Sequence, residues 1–140
     1  MKKLKSTLFL CVIAASANAH AASPATNPFV GSWVVQDVVG YSDTSGGPPE
    51  AKRLLGKTIK IAKNKIDFDG QRCQPSDGFT VSTIDTAPKL LDYYQVAISD
   101  TGLPSKTMLL DSSSCAPVFR MDAHRIVFGW DGIIMRAIRR

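Results

Sequence analysis

The chain has 140 residues, 44% of them hydrophobic and 21% charged, with a formal net charge of +5. These values fit one globular domain and exclude a coiled coil, a collagen and a charge-rich disordered tail. A chain of this length buries one core, which also excludes a cofactor domain joined to a separate substrate domain.

Lys2, Lys3 and Lys5 precede the apolar stretch Thr7 to Ala15, and Ala17-Asn18-Ala19 places small residues at a cleavage position. This is the pattern of a secretory signal peptide over residues 1–19. A second cut at Ala19-His20-Ala21 would shift the start only slightly. Cys11 lies in mid-stretch after Leu8-Phe9-Leu10, where a lipid-attachment site wants a small residue, so no lipid anchor is expected. No later stretch is long and apolar enough to span a membrane. The product is expected in the periplasm or outside the cell, without a membrane anchor. Removal of the three leader lysines lowers the charge from +5 to +2, which leaves no electrostatic footprint for nucleic acid.

Residues 20–28 (His20 to Pro28) are small and Pro-containing, without apolar periodicity, and read as a flexible leader. From residue 29 to 140 the pattern is that of a single domain. Phe29 to Val39 is rich in Val and aromatic residues on both parities, which predicts a strand buried on both faces. Ser42 to Pro49 reads as a mobile polar loop, and Glu50 to Leu55 as one or two turns of helix stopped by Gly56. Short strands follow at Thr58 to Ala62 and Ile66 to Phe68, separated by Lys63-Asn64-Lys65 and ended by Asp69-Gly70. Further strands are predicted from Phe79 to Thr83, from Leu90 to Ile98 and over Met108 to Leu110. The last three are Val118 to Met121, Ile126 to Trp130 and Ile133 to Ile138. Asp131-Gly132 between two apolar runs is the strongest hairpin signal in the chain.

The sum is an all-β fold: an eight-to-nine-stranded antiparallel barrel with one short helix after the first strand. Closure is favoured because several strands are apolar on both parities and a barrel has no exposed edges. Once Cys11 has left with the leader, Cys73 and Cys115 remain as an even pair, which predicts a disulfide in an oxidising compartment.

Gly31-Ser32-Trp33 near the start of the domain and Arg136 near its end resemble the Gly-x-Trp and C-terminal Arg arrangement of the lipocalin and wider calycin group. The resemblance implies a barrel in which Trp33 closes one end and Arg136 packs across its ring. The chain is shorter than standard lipocalins and lacks their long late helix. Some secreted bacterial proteins of that shape inhibit proteases or lysozymes, so the resemblance also implies that an inhibitory role is open to this chain.

Chemistry-bearing residues are sparse. His124, in the turn Asp122-Ala123-His124-Arg125, could be a general base oriented by Asp122, with Ser112, Ser113 or Ser114 as nucleophile. No serine stands in a Gly-x-Ser-x-Gly elbow, and no catalytic residue is assigned. Asp67-Phe68-Asp69-Gly70 resembles a fragment of a calcium loop, but the closing Glu is missing and a plain turn accounts for it. Two cysteines without His at ligand spacing make a poor zinc site, so neither metal nor cofactor is expected. Lys57, Lys60, Lys63 and Lys65 read as solvated positions on a strand and its turn. Two functions are carried forward. The first is a non-enzymatic binding or inhibitor module that presents Ser42, Asp43, Thr44, Ser45, Gly46 and Gly47, or the Pro75 to Gly78 turn, to a periplasmic or extracellular protein. The second is a carrier of a small apolar molecule in the barrel interior. Candidate ligand contacts are Trp33, Tyr41, Tyr93 and Tyr94. Adjacent Tyr93 and Tyr94 on a strand would face opposite ways, and one ring must leave the core.

Overall fold

The computed structural model describes residues 26–140, so the expected leader peptide and most of the linker after it lie outside the described residues. Nine strands form one antiparallel sheet curled into a half-barrel. They are β1 (Gly31–Tyr41), β2 (Thr58–Ile61), β3 (Ile66–Phe68), β4 (Gln71–Cys73), β5 (Thr80–Asp85), β6 (Lys106–Asp111), β7 (Val118–Arg120), β8 (Arg125–Trp130) and β9 (Ile133–Arg139). Their order across the sheet is β4-β3-β2-β1-β9-β8-β7-β6-β5. The expected cylinder is therefore not closed by hydrogen bonds, because β4 and β5 are the two edges. The Cys73–Cys115 disulfide joins β4 to the β6–β7 connection with its Cα atoms 5.7 Å apart.

The concave face carries the larger core. Trp33, Val35, Phe68, Phe128, Met135 and Ala137 are buried there, with Ala51 and Leu54 of helix α1 (Gly47–Leu54) packed against them. Phe68 meets both Phe128 and Trp130 edge to face, at 5.2 Å between ring centroids. The convex face is also covered. Leu90, Val96 and Leu103, from helix α2 (Thr86–Tyr94) and the segments around helix α3 (Ile98–Thr101), pack on Leu109, Phe119, Val127 and Ile134. This second layer, rather than barrel closure alone, is why several strands are apolar on both parities.

Two bulges in β1 add to that pattern. Its register with β9 slips between Val35 and Asp37 and again between Val38 and Gly40. Each extra residue reverses which parity faces the core and bends the strand. Trp33 and Val35 face inward before the first bulge, whereas Val38, opposite Met135, does so after it.

Two expectations need correction. Leu90 to Ile98 is not a strand: α2 covers Thr86–Tyr94 and ends at Gln95 in the left-handed conformation (φ 56°). Pro88 sits in the first helical turn, where its missing N–H costs nothing, and Thr86, Leu90 and Tyr94 recur at helical spacing on the buried side. The cation over Trp33 is Arg139, not Arg136. Its guanidinium carbon is 4.1 Å from the ring centroid. Cross-strand neighbours share a face, and Arg139 lies opposite Trp33, whereas Arg136 lies opposite Asp37 on the convex side and forms an ion pair with it. Arg139 also donates to the carbonyls of Val30 (3.0 Å) and Pro28 (2.6 Å), and the Trp33 indole donates to Phe29 (2.9 Å). A Cβ on Gly31, whose φ is 148°, would lie 2.7 Å from that guanidinium, so the glycine is what admits the cation.

Two predictions follow from this frame. Loss of the disulfide, which links positions 42 residues apart, in Cys73→Ser/Cys115→Ser frees denatured-state entropy of about 4 kcal/mol, measured as a drop in unfolding free energy by denaturant titration. The Asp69 carboxylate accepts from Arg53 and Lys57, which hold it well below the usual carboxylate range and tie the β3–β4 turn to α1. A depressed carboxyl stabilises the fold above its unfolded value of about 3.9 and loses that contribution as pH falls through its folded value. Asp69→Asn should therefore lower the Tm by a few degrees at neutral pH, with the gap closing progressively below about pH 4.

Candidate functional site

The candidate site is a cleft on the rim of the half-barrel, built by three segments. The first is Ser42–Asp43–Thr44, which leaves the end of β1. The second is Tyr93–Tyr94–Gln95 at the end of α2. The third is the β8–β9 hairpin from Gly129 to Gly132, with Ile134 behind it. Together they enclose about 570 Å3.

Each segment is fixed for a local reason. Asp131 (φ 49°) and Gly132 (φ 77°) both take positive φ, as a tight two-residue hairpin turn requires, and Trp130 faces Ile133 across it. The Ser42 N–H donates to the Gly132 carbonyl (2.7 Å) and the Ser45 N–H to Ser42 (3.1 Å), so the expected mobile loop is pinned as a turn on this hairpin. The last three residues of that expected loop, Gly47, Pro48 and Pro49, already belong to α1.

The end of α2 is seated by glycine. Gly40, Ile134 and Gly129 form a row across β1, β9 and β8 on the convex face. A Cβ on Gly40 would lie 2.7 Å from Val96 Cγ1, and one on Gly129 would overlap the Tyr94 ring. The two bare positions flank Ile134 and let Tyr94 and Val96 descend onto the sheet. The Tyr94 hydroxyl donates to the Pro117 carbonyl, and burial pushes its ionisation well above the ordinary tyrosine value. Tyr93 remains at the surface, donates to Asp111 Oδ2 (2.6 Å) and has Lys89 Nζ 5.7 Å from its ring. The Asp111 carboxylate beside it raises the Tyr93 value.

The cleft is anionic. Asp43 and Asp131 line it, and neither has a cationic partner among the described residues. The buried Trp130 indole nitrogen, on another lining residue, also lacks an acceptor among them.

Of the residues singled out from the sequence, Tyr93, Tyr94, Ser42, Asp43 and Thr44 converge here. Trp33 is wholly buried in the concave core, and Tyr41 lies in a separate groove of about 630 Å3 with Asp37, Pro48, Pro49 and Leu55. Ser45, Gly46 and Gly47 connect the two sites without lining the cleft. Gln95, Gly129, Asp131, Gly132 and Ile134 line the cleft without having been singled out as site residues. The sequence does signal the hairpin, but a helix end laid over it has no signature in strand alternation.

The tested catalytic pattern is engaged otherwise. Asp122 accepts the backbone N–H of His124 (2.9 Å) and the Arg125 guanidinium, which lowers its ionisation, while Ser112 accepts the N–H of Cys115. Asp67 pairs with Arg72, and Asp69 with Arg53 and Lys57, so both carboxylates of the calcium-like fragment face cations of the chain. No protein-family model matches the chain, and neither a curated protein nor a solved structure matches it.

Gly129→Ala should push Tyr94 off its seat and lower stability by about 1–3 kcal/mol, as overpacking does. Near-ultraviolet circular dichroism should register the displaced ring, and an unchanged spectrum with unchanged stability would contradict this account of the seat.

Proposed function

We propose that this chain is an exported binding module of inhibitor type, which meets another protein through the rim cleft. The single observation that carries the reading is the convergence of the polar turn Ser42–Thr44 and the Tyr93–Tyr94 pair in one cleft, although they are some fifty residues apart in sequence. Function on small barrels commonly sits on rim segments held by a rigid scaffold.

The chemistry of the lining suggests the partner. Two carboxylates without a cationic partner among the described residues suit a basic side chain on a protein surface. Export is supported by the leader pattern and the disulfide, both suited to the periplasm or the extracellular space. The Trp33–Arg139 contact has the physical content of the lipocalin-type arrangement, with Arg139 in the role expected of Arg136, and it supports kinship with that group as a proposal. The carrier reading draws less support. Trp33, Phe68, Phe128 and Met135 occupy the concave interior where a ligand would sit.

A photo-crosslinking side chain at Thr44 tests the proposal in cells of the source organism. It should yield a discrete protein adduct that is absent when the same group replaces Lys60 on β2. Asp43→Asn/Asp131→Asn, which keeps a side chain tolerant of the left-handed conformation at 131, should cut that adduct about tenfold. Equal adducts at both positions, or an adduct indifferent to the double substitution, would refute the cleft as the contact surface.

A further inference from the structure

The two edges of the sheet are protected very differently. β4 has three residues, carries Arg72 and ends at the disulfide, all of which blunt an edge. β5 has six residues, TVSTID, with no proline and no charge before Asp85. All of them are exposed except Ile84, and no described strand pairs with the outer side. Such an edge is a template for another strand.

The backbone direction can be assigned. The Thr86 N–H donates to the Ser105 carbonyl (2.9 Å), which continues the β5–β6 register in which Asp85 lies opposite Lys106. In an antiparallel ladder alternate residues turn both backbone groups to the same neighbour. Thr80, Ser82 and Ile84 therefore bond β6, and Val81, Thr83 and Asp85 present N–H and C=O outward.

We propose that β5 is a strand-pairing interface whose occupant is a second copy of this chain, aligned antiparallel about a two-fold axis at Ser82. A two-fold axis normal to the sheet requires facing residues to share a face. Centred on Ser82, it sets Val81 beside the second copy's Thr83 on the concave side and Thr80 beside its Ile84 on the convex side. The outward groups of Val81 and Thr83 in both copies then form about four backbone hydrogen bonds. No like charges meet, because Asp85 falls at the end of the pairing and has Lys106 of its own chain at 3.4 Å. Centring on Thr83 instead would place Asp85 against Val81. The edge is thus chemically self-matching in one register, which is what an isologous contact needs. It shares no residue with the lining of the rim cleft, so this inference does not depend on the proposed function.

Sedimentation velocity of the purified protein, from low micromolar to near-millimolar concentration, should show the mass doubling. Amide hydrogen exchange should slow at Val81 and Thr83 as the dimer forms. Thr83→Pro removes an outward N–H at a position where an edge strand tolerates proline, and should stay monomeric throughout with the fold intact. Val81→Lys, which leaves the backbone unaltered, should weaken association about tenfold and decides the matter if the proline variant does not fold. A wild-type protein monomeric at every concentration overturns the proposal. So does a dimer that leaves these two amides unprotected or that Val81→Lys does not weaken.

Discussion

The contact on which the site depends is the descent of Tyr94 and Val96 onto a row of the sheet that has no side chain at either end. Gly40 and Gly129 flank Ile134, and the space left by their missing Cβ atoms is filled by a tyrosine ring and a valine methyl. Close packing makes such a fit sensitive to a single carbon, because nothing on a three-strand surface can retreat far. Tyr94 is held a second time by its hydroxyl on Pro117. With the helix end fixed, Tyr93 and Gln95 have no freedom to choose their positions, and the cleft wall follows.

The central strand shows how one sequence serves two surfaces. A strand of regular alternation would have one buried parity, yet β1 needs Trp33 and Val35 inside the curl and Asp37 outside beside Arg136. The bulges change parity in mid-strand and bend it, so the same segment lines the concave core at Val38 and leaves Gly40 beneath Val96 on the convex side. The Trp33 end is then sealed by Arg139, whose guanidinium stacks on the ring while its donors reach the carbonyls of Pro28 and Val30. This clasp draws the residues before β1 against those at the end of β9. The disulfide performs the complementary task on the far side, where no described strand pairs with β4 beyond β3.

Much of this was legible because strands announce themselves locally. Val, Ile and aromatic alternation locates most of the β segments, and Asp131-Gly132 fixes the hairpin between the last two because both residues tolerate positive φ. The cysteine pair is legible by parity of count. What escaped depends on other parts of the chain. Tyr93, Tyr94 and Val96 favour extended structure by propensity, and only the convex groove above Ile134 turns Thr86, Leu90 and Tyr94 into a buried helical stripe. The choice between Arg136 and Arg139 rested on register, and register rested on two bulges that polar Gln36 and a run of valines do not reveal. The glycine seat was unreadable for the same reason, since Gly40 and Gly129 become neighbours of one isoleucine only after β1, β9 and β8 are aligned.

Under the proposed function, rigidity suits the rim to recognition. The segment from Ser42 to Gly47 has the composition of a flexible connection, and left free it would have to be ordered at the moment of binding. Its backbone bonds to Gly132 and Ser42 instead place that ordering cost in folding. The Ser42 hydroxyl sits 3.2 Å from that of Thr44, and Asp43 lies between them in sequence without a counter-ion among the described residues. Asp37, Asp67, Asp69 and Asp122 each face an arginine, which Asp43 and Asp131 do not among the described residues. Under the proposed function, the carboxylates of Asp43 and Asp131, at a rim where a helix end, a hairpin and a pinned turn meet, would favour a basic partner, because fixed charge selects the charge of what docks.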